Sequence, residues 1–262
     1  MNEIICIGTS FTEGGGLYNT EVKEYYKKLN IVYDKQSEVS WPSHLSKLLN
    51  IPTRNLGKCG SGIDYLIRNV EEIIEHEDVS DKLFILEYSG WGRTELWDSK
   101  RDKYIITNWG PRDGEDPKNE GYAVMMTTDY TYGEQLEHTE FKLWESFLDS
   151  HFNEADYLIS RDKQFINLLY KLQHKQIKFL VIYLESCFWE GLYDESVIIE
   201  NSLFMTDDNT EVSHSVPFGL SYLVSKNGNR ISDMIPEIDD THPNIDGHIS
   251  IANEIYTKLK TI

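Results

Sequence analysis

The sequence is poor in basic residues relative to acidic ones. Its 25 lysines and arginines stand against 44 aspartates and glutamates, which gives a formal net charge of −19. A chain this acidic is poorly suited to bind nucleic acid phosphates or anionic lipids by general electrostatic attraction. We therefore expect no nucleic-acid partner, and a neutral or cationic substrate fits the charge better.

Cysteines and long apolar runs are also scarce. The three cysteines, Cys6, Cys59 and Cys187, are far apart and form no CxxC pair, which favours neither a zinc site nor a disulfide framework. No run of about 18 apolar residues occurs, and no basic segment leads into an apolar stretch, so we expect neither a membrane span nor a secretion signal. These absences predict a cytoplasmic protein in a reducing compartment.

Short apolar runs alternate with helical patterns along the chain. The runs "IICIG", "TRNLG", "LFILEY" and "KFLVIYL" have the length and composition of buried strands. Helical spacing of apolar residues appears in "SWPSHLSKLLN", "IDYLIRNVEEIIEH", "RDKQFINLLYKLQHKQ" and "NIDGHISIANEIYTKLK", and Ser61 and Asp64 resemble a capping box for the second of these helices. Alternation of strands and helices predicts an α/β fold with a mostly parallel sheet.

We expect residues 1–262 to form a single domain with two irregular stretches. One is a long insertion at about 91–156, and the other runs from about 186 to 240. Connections of this length are usually functional rather than mere links between elements.

The first strand ends at Gly8 and is followed at once by Thr9 and Ser10. Glycine allows the backbone to turn sharply, so Ser10 is expected at the carboxyl end of the strand. Ligands of open α/β sheets bind at that edge. Ser10 is therefore either a helix cap or a nucleophile.

The segment "DDTHPNIDGH" precedes the last helix and places Asp239 three residues before His242. A carboxylate on one imidazole nitrogen fixes the tautomer and leaves the other nitrogen free to act as a base. Alternatively the segment is an ordinary helix-entry loop with a surface histidine, and we expect His248, inside the helix, to be structural. A metal site is a further alternative that would use Asp239, Asp240, His242, Asp246 and His248, but acids also suit the first helical turn, and we predict no metal.

The segment "NLGKCGSG" follows the second predicted strand. Glycine amides can approach a developing oxyanion because no side chain blocks them, and Gly60 is the candidate. A glycine pair at a strand-to-helix turn is also common in α/β proteins without any such role.

These three segments, "GTS", "NxGxxG" and "DxxHPN", resemble in order blocks one, two and five of the SGNH/GDSL hydrolase family. The resemblance implies a three-layer α/β/α flavodoxin-like fold and no cofactor. It also implies that Ser10 is the nucleophile, His242 the base and Asp239 its orienting acid. The amides of Ser10 and Gly60 would form the oxyanion hole.

The third block departs from the family pattern. The family usually has Gly-x-Asn-Asp there, whereas this chain reads "LEYSGWGRTELW", with Ser89, Trp91 and Arg93 in that neighbourhood. Loss of one oxyanion donor typically costs about 10²–10³ in rate. Trp91 and Arg93 are the candidate substrate contacts, although Arg93 could instead pair with Glu95 or Glu87. Thr9 also stands where the family commonly has Asp.

The expected function is hydrolysis of an ester, with removal of a short acyl group from a carbohydrate or small polar substrate. Aromatic faces beside polar groups suit sugar rings, and the chain carries such residues at Trp91, Trp97, Tyr104, Trp109, Tyr122, Tyr130 and Tyr132. These aromatics could equally pack a small core of their own. The alternatives are a lysophospholipase or thioesterase, and a catalytically weakened glycan-binding module. A nucleotide-binding protein is disfavoured because the P-loop pattern is missing.

Overall fold

A computed structural model describes seven parts of the chain. They are residues 1–89, 93–98, 103–111, 122–129, 154–183, 202–203 and 220–260. Trp91, Tyr130, Tyr132 and Cys187 lie outside them, as does most of the stretch at 186–240.

The central sheet is built from the short apolar runs of the sequence. Its strands are β1 (Glu3–Gly8), β2 (Thr53–Gly57), β3 (Lys82–Tyr88) and, further along the chain, Lys178–Tyr183 and Ser202–Leu203, named β7 and β8 below. The strand order is β2-β1-β3-β7-β8, and every neighbouring pair is parallel. Parallel strands need covered faces on both sides, which explains why β1, β3 and β7 are almost entirely apolar.

Helices cover both faces of this sheet. One face packs on α4 (Ile63–His76) and α5 (Glu154–His174), through residues such as Leu66, Val70 and Phe165. The other face packs on α3 (Trp41–Leu49) and the last helix, α8 (Ile245–Leu259), through Trp41, Leu45 and Ile251. The predicted three-layer α/β/α architecture with a parallel sheet is therefore confirmed.

A second, smaller sheet lies in the region predicted as an insertion. It consists of β4 (Arg93–Asp98), β5 (Lys103–Pro111) and β6 (Tyr122–Asp129), paired antiparallel in chain order. These strands are not predicted from the sequence, because polar and aromatic residues interrupt the apolar–polar alternation there. Trp97 lies opposite Tyr104 in the β4–β5 register.

The remaining helices of the described residues are short. They are α1 (Ser10–Glu13), α2 (Thr20–Lys28), a 3-10 helix at Gln36–Glu38, α6 (Leu220–Lys226) and α7 (Ile231–Met234). The segment 14–40 shows no clear periodicity in the sequence, yet α2 buries Val22 and Tyr26.

The predicted capping box of α4 is wrong. Gly62 occupies the N-cap position, and the Ser61 hydroxyl donates instead to the Gly8 carbonyl oxygen at 2.9 Å. This buried hydrogen bond connects the start of α4 to the end of β1.

Candidate active site

Ser10 is the first residue of α1, directly after β1. Thr9 caps this helix, and its side-chain oxygen accepts the Phe11 N–H at 3.4 Å. The prediction that Ser10 lies at the carboxyl edge of the sheet is confirmed. The residue is buried, with only 3% of its surface exposed.

The hydroxyl of Ser10 lies against the ring of His242. The Oγ to Nε2 distance is 2.8 Å, although 232 residues separate the two in sequence. A neutral imidazole that accepts at Nε2 must carry its proton on Nδ1. The second nitrogen therefore needs an acceptor.

That acceptor is Asp240. Its Oδ1 lies 2.6 Å from His242 Nδ1 and also accepts the His242 backbone N–H at 2.9 Å. The prediction that Asp239 orients the ring is wrong, since Asp239 is exposed and Asp240 makes the contact.

Contacts within the loop hold Asp240 at the ring. The loop lies against the start of α7, where the Ile231 N–H donates to the His242 carbonyl and the Ser232 N–H donates to the Asp240 carbonyl, both at 2.9 Å. The Asp240 side chain also accepts the N–H two residues further on, a local contact that is common for Asp. Together these contacts place the Asp240 carboxylate beside His242, whereas Asp239 is exposed.

The carboxylate of Asp240 is held in its ionised form. Partial burial by itself would raise the pKa of Asp240, but the hydrogen bonds from the His242 ring and amide outweigh it and lower the pKa. An ionised acceptor stabilises positive charge on the imidazole. The Phe11 ring packs against the His242 ring with centroids 5.6 Å apart.

Two glycines of the segment after α1 lie close to the side chains of Ser10, His242 and Asp240. A Cβ at Gly15 would come within 2.7 Å of Ser10 Cβ and 3.0 Å of His242 Nε2. Gly16 has a φ of +80°, and a Cβ there would lie 2.7 Å from Asp240 Oδ2. The glycine run therefore allows the backbone to approach Ser10, His242 and Asp240 where any side chain would collide.

Gly60 lies in a tight turn between β2 and α4. The Ser61 N–H closes the turn on the Lys58 carbonyl at 3.1 Å, and the φ of Gly60 is +78°. A positive φ at the third position is the mark of a type II turn, which favours glycine. Within the part of the chain that the structure describes, the Gly60 N–H is bound to no other group. None of the described residues competes with a ligand for this N–H.

A buried carboxyl supports the turn that carries Ser10. Glu87, near the end of β3, is 1% exposed and accepts the Thr9 N–H at 3.2 Å, while the hydroxyls of Thr9 and Thr12 donate to its two oxygens. Burial raises the pKa of Glu87. A Cβ at Gly8 would lie 2.5 Å from both Glu87 Cβ and Thr12 Oγ1. Gly8 thus provides room for this contact, and its φ is not positive.

Arg93 lies next to the Gly60 turn. Its Nη1 is 3.4 Å from the Ser61 carbonyl oxygen, and its backbone closes on Gly62, where a Cβ would meet the Arg93 carbonyl at 2.5 Å. Of the two acids considered as partners for Arg93, Glu95 is bound at 3.0 and 3.1 Å by Arg68. Trp91, the other candidate substrate contact, lies outside the described residues, and Ser89 is buried.

His248 is placed away from Ser10, in the packing between α8 and α3. It is fully buried, and its Nδ1 accepts the Trp41 N–H at 3.3 Å. Burial lowers the pKa of His248 to about 3, so the ring is neutral. The expectation that His248 is structural is confirmed, and the described residues contain no group of three metal-ligating side chains.

Sequence reasoning missed Asp240 and Glu87. Asp240 could have been found from its spacing, since an Asp side chain often accepts the N–H two residues on. Glu87 carries a local signal too, as a charged residue inside an apolar strand run. Its partners, Thr9 and Thr12, are more than 70 residues away and cannot be read from the sequence.

Comparison with known proteins finds similar structures only at low sequence identity. No family model and no curated protein matches the chain. A lipolytic protein of the G-D-S-L family from Veillonella parvula is 14% identical, with 100% of each chain covered and a TM-score of 0.43. A carbohydrate acetylesterase family member from Sinorhizobium meliloti is 12% identical, with 100% of this chain and 98% of that chain covered and a TM-score of 0.41.

An acetyl xylan esterase from Butyrivibrio proteoclasticus is also similar. It is 13% identical, with 99% of this chain and 64% of that chain covered and a TM-score of 0.40. Values this low say nothing about the reaction of this chain. Its function therefore has to be inferred from its own side chains. No described helix has the length and apolar character needed to cross a membrane.

Proposed function

We propose that the protein is a serine hydrolase that cleaves carboxylic esters. The observation that carries the proposal is the chain of contacts from Ser10 Oγ to His242 Nε2 at 2.8 Å and from His242 Nδ1 to Asp240 at 2.6 Å. A nucleophile, a base and an acid that fixes the base are the parts that acyl transfer requires.

The first half of the reaction forms an acyl-enzyme. Ser10 Oγ attacks the carbonyl carbon of the ester while its proton passes to His242 Nε2, and Asp240 stabilises the resulting imidazolium. The carbonyl oxygen becomes an oxyanion, which accepts the N–H groups of Ser10 and Gly60. When the tetrahedral intermediate collapses, the C–O bond to the alcohol breaks, and His242 returns the proton to the leaving oxygen.

Water completes the reaction. His242 Nε2 takes a proton from water as the water oxygen attacks the acyl carbon, and the second intermediate collapses with loss of Ser10 Oγ. The Ser10 oxygen recovers a proton from His242, and the acid leaves. No step needs a cofactor, and the residue that orients His242 is Asp240 rather than the predicted Asp239.

The substrate that fits best is a short acyl ester of a carbohydrate or small polar molecule. The small sheet carries aromatic residues in its strands, at Trp97, Tyr104, Trp109 and Tyr122, and it begins at Arg93 beside the Gly60 turn. Aromatic faces pack on the C–H faces of sugars. The net charge of −19 favours a neutral or cationic acceptor.

Labelling with a fluorophosphonate probe tests the serine hydrolase directly. We expect one modified peptide, which contains Ser10, and no labelling in the Ser10→Ala or His242→Ala variant. Labelling elsewhere in the chain, or unchanged aryl acetate hydrolysis by folded Ser10→Ala, would contradict the role of Ser10. A folded wild-type protein that neither labels nor hydrolyses esters would favour a binding module.

A comparison of acyl chain lengths tests the substrate class. We expect kcat/KM to fall from aryl acetate to butyrate to octanoate, and acetylated oligosaccharides to be cleaved. Preference for octanoate or for a lysophospholipid would instead favour a lipid substrate.

A further inference from the structure

A carboxylate from the helix that carries Ser10 reaches the turn that contains Gly60. Glu13 is the last residue of α1, and its Oε2 accepts the backbone N–H of Cys59 at 2.6 Å. Cys59 immediately precedes Gly60 in the chain. The side chain therefore links two segments that are more than 40 residues apart.

This link fixes the peptide next to the free amide. The peptide between Lys58 and Cys59 donates its N–H to Glu13, and its carbonyl accepts the Ser61 N–H at 3.1 Å. With both polar groups held, the plane of that peptide cannot rotate. The direction of the following N–H, which belongs to Gly60, then depends on the two dihedrals of Cys59 alone.

Other contacts hold this turn on both sides of Cys59, including the Ser61 hydroxyl on the Gly8 carbonyl at 2.9 Å. The Asn55 side chain donates to the Thr12 carbonyl at 2.8 Å, and the Lys58 N–H donates to the Gly8 carbonyl at 2.9 Å. Among the described residues, Glu13 is the side chain that binds the Cys59 N–H, on the peptide directly before Gly60. Within the described part of the chain, its second oxygen makes only a long contact, 3.5 Å from Gln36 Nε2.

We propose that Glu13 is a positioning residue that aims the Gly60 N–H at the oxyanion formed when Ser10 attacks an ester. The inference rests on the proposed function, since it requires Ser10 to be the nucleophile. It assigns to Glu13 a role through its acceptor oxygen rather than through its charge. Accurate aim matters here because the sequence has no Asn in its third block to act as a further donor.

Three substitutions at Glu13 separate the acceptor from the charge. Glu13→Gln keeps an acceptor oxygen at the same reach, Glu13→Asp keeps the charge but is one methylene shorter, and Glu13→Ala removes both. A misaimed donor lowers transition-state stabilisation, so we expect kcat for aryl acetate to fall roughly 10- to 100-fold in the Ala and Asp variants. We expect Glu13→Gln to stay within about threefold of wild type and KM to change little in all three.

Gln36→Ala is the matched control. It removes the group that contacts the other oxygen of the same carboxylate, and we expect its kcat to equal that of the wild type. Circular dichroism and thermal unfolding establish that each variant is folded. If Glu13→Ala fails to fold, the comparison of Glu13→Asp with Glu13→Gln still decides the matter.

An aryl boronic acid reports on the oxyanion position without turnover. Ser10 Oγ adds to boron, its proton passes to His242, and a boron-bound oxygen occupies the place of the oxyanion. We expect the inhibition constant to rise across the Glu13 variants in proportion to the loss of kcat/KM, whereas a merely structural role would leave it unchanged.

Two outcomes overturn the inference: wild-type kcat in folded Glu13→Ala or Glu13→Asp, or a loss in Glu13→Gln as large as in Glu13→Ala. Either one, with Ser10→Ala inactive, refutes the role of Glu13 and leaves the serine hydrolase intact. Full activity of Ser10→Ala refutes both.

Discussion

The carboxyl of Glu87 accepts the backbone N–H of Thr9 at 3.2 Å, and Thr9 is the residue before Ser10. Together with the hydroxyls of Thr9 and Thr12, this contact places three donors on one buried acid. The strand next to β1 in the sheet thereby fixes the turn on which Ser10 stands.

Replacement of Glu87 should therefore depend on whether the new side chain satisfies these donors. We expect Glu87→Leu to lower the free energy of unfolding by roughly 2–4 kcal/mol, because buried donors without acceptors are costly. Glu87→Gln can accept from Thr9 and donate to Thr12, so it should be tolerated. Urea denaturation at neutral pH measures both, and equal losses in the two variants would contradict this reading.

The pH dependence of Glu87→Gln gives a second test of the same site. The pKa of Glu87 is raised in the folded protein, so the folded state binds this proton more tightly than the unfolded state. Its contribution to stability is present at low pH and is lost as pH rises through the raised pKa. We expect the stability of Glu87→Gln relative to wild type to increase from pH 4 to pH 8.

Asp240→Asn and Asp239→Asn are a matched pair of variants that tests which acid orients His242. Asn at position 240 can turn its NH2 toward His242 Nδ1, which favours the wrong tautomer, and kcat should fall about 10³- to 10⁴-fold, as in the serine-protease template. Asp239 is exposed, and His242 Nδ1 is bound by Asp240, so Asp239→Asn should keep wild-type kcat. Ester hydrolysis by the two folded variants is the measurement, and the reverse order would restore Asp239 to the site.

His248→Gln should change stability rather than catalysis. Because burial lowers the pKa of His248 to about 3, the unfolded state binds its proton between that pH and the ordinary value of 6.5. Stability should therefore fall on acidification through this range, by at most about 1.4 kcal/mol per pH unit from this group.

Removal of His248 should make the acid side of the stability profile less steep, as measured by denaturant unfolding from pH 7 to pH 4. The kcat of His248→Gln at neutral pH should stay near wild type, because the ring makes its hydrogen bond to Trp41 and not to Ser10. A large loss of kcat in a folded variant would show that His248 has been misassigned.

Gly15→Ala and Gly228→Ala separate steric blocking from backbone strain. An added Cβ at Gly15 would meet both Ser10 Cβ and His242 Nε2, so we expect at least about a 100-fold loss of kcat with the fold retained. Gly228 has a φ of +64° with nothing within 4 Å of the added Cβ, so Gly228→Ala should cost about 1 kcal/mol of stability and no activity. Aryl acetate turnover and thermal unfolding of both variants provide the test.

The sequence by itself determined four of the five strands of the central sheet and the four long helices that cover it. Apolar runs such as Ile4–Ile7 and the spacing of Leu66, Val70 and Ile73 are local patterns, and each predicts its own element because burial requires that periodicity. The same local reading placed Ser10 after β1 and His242 before α8. It did not find the antiparallel strands β4–β6, whose composition is mixed.

The tertiary structure decided which groups meet. Asp239 and Asp240 are adjacent acids that the local sequence does not distinguish, and in the folded loop Asp240 is the one that contacts His242. Glu13 and Glu87 contact segments more than 40 residues away, at Cys59 and at Thr9. Such contacts depend on how strands and turns are brought side by side, a relation between distant segments that no local pattern contains.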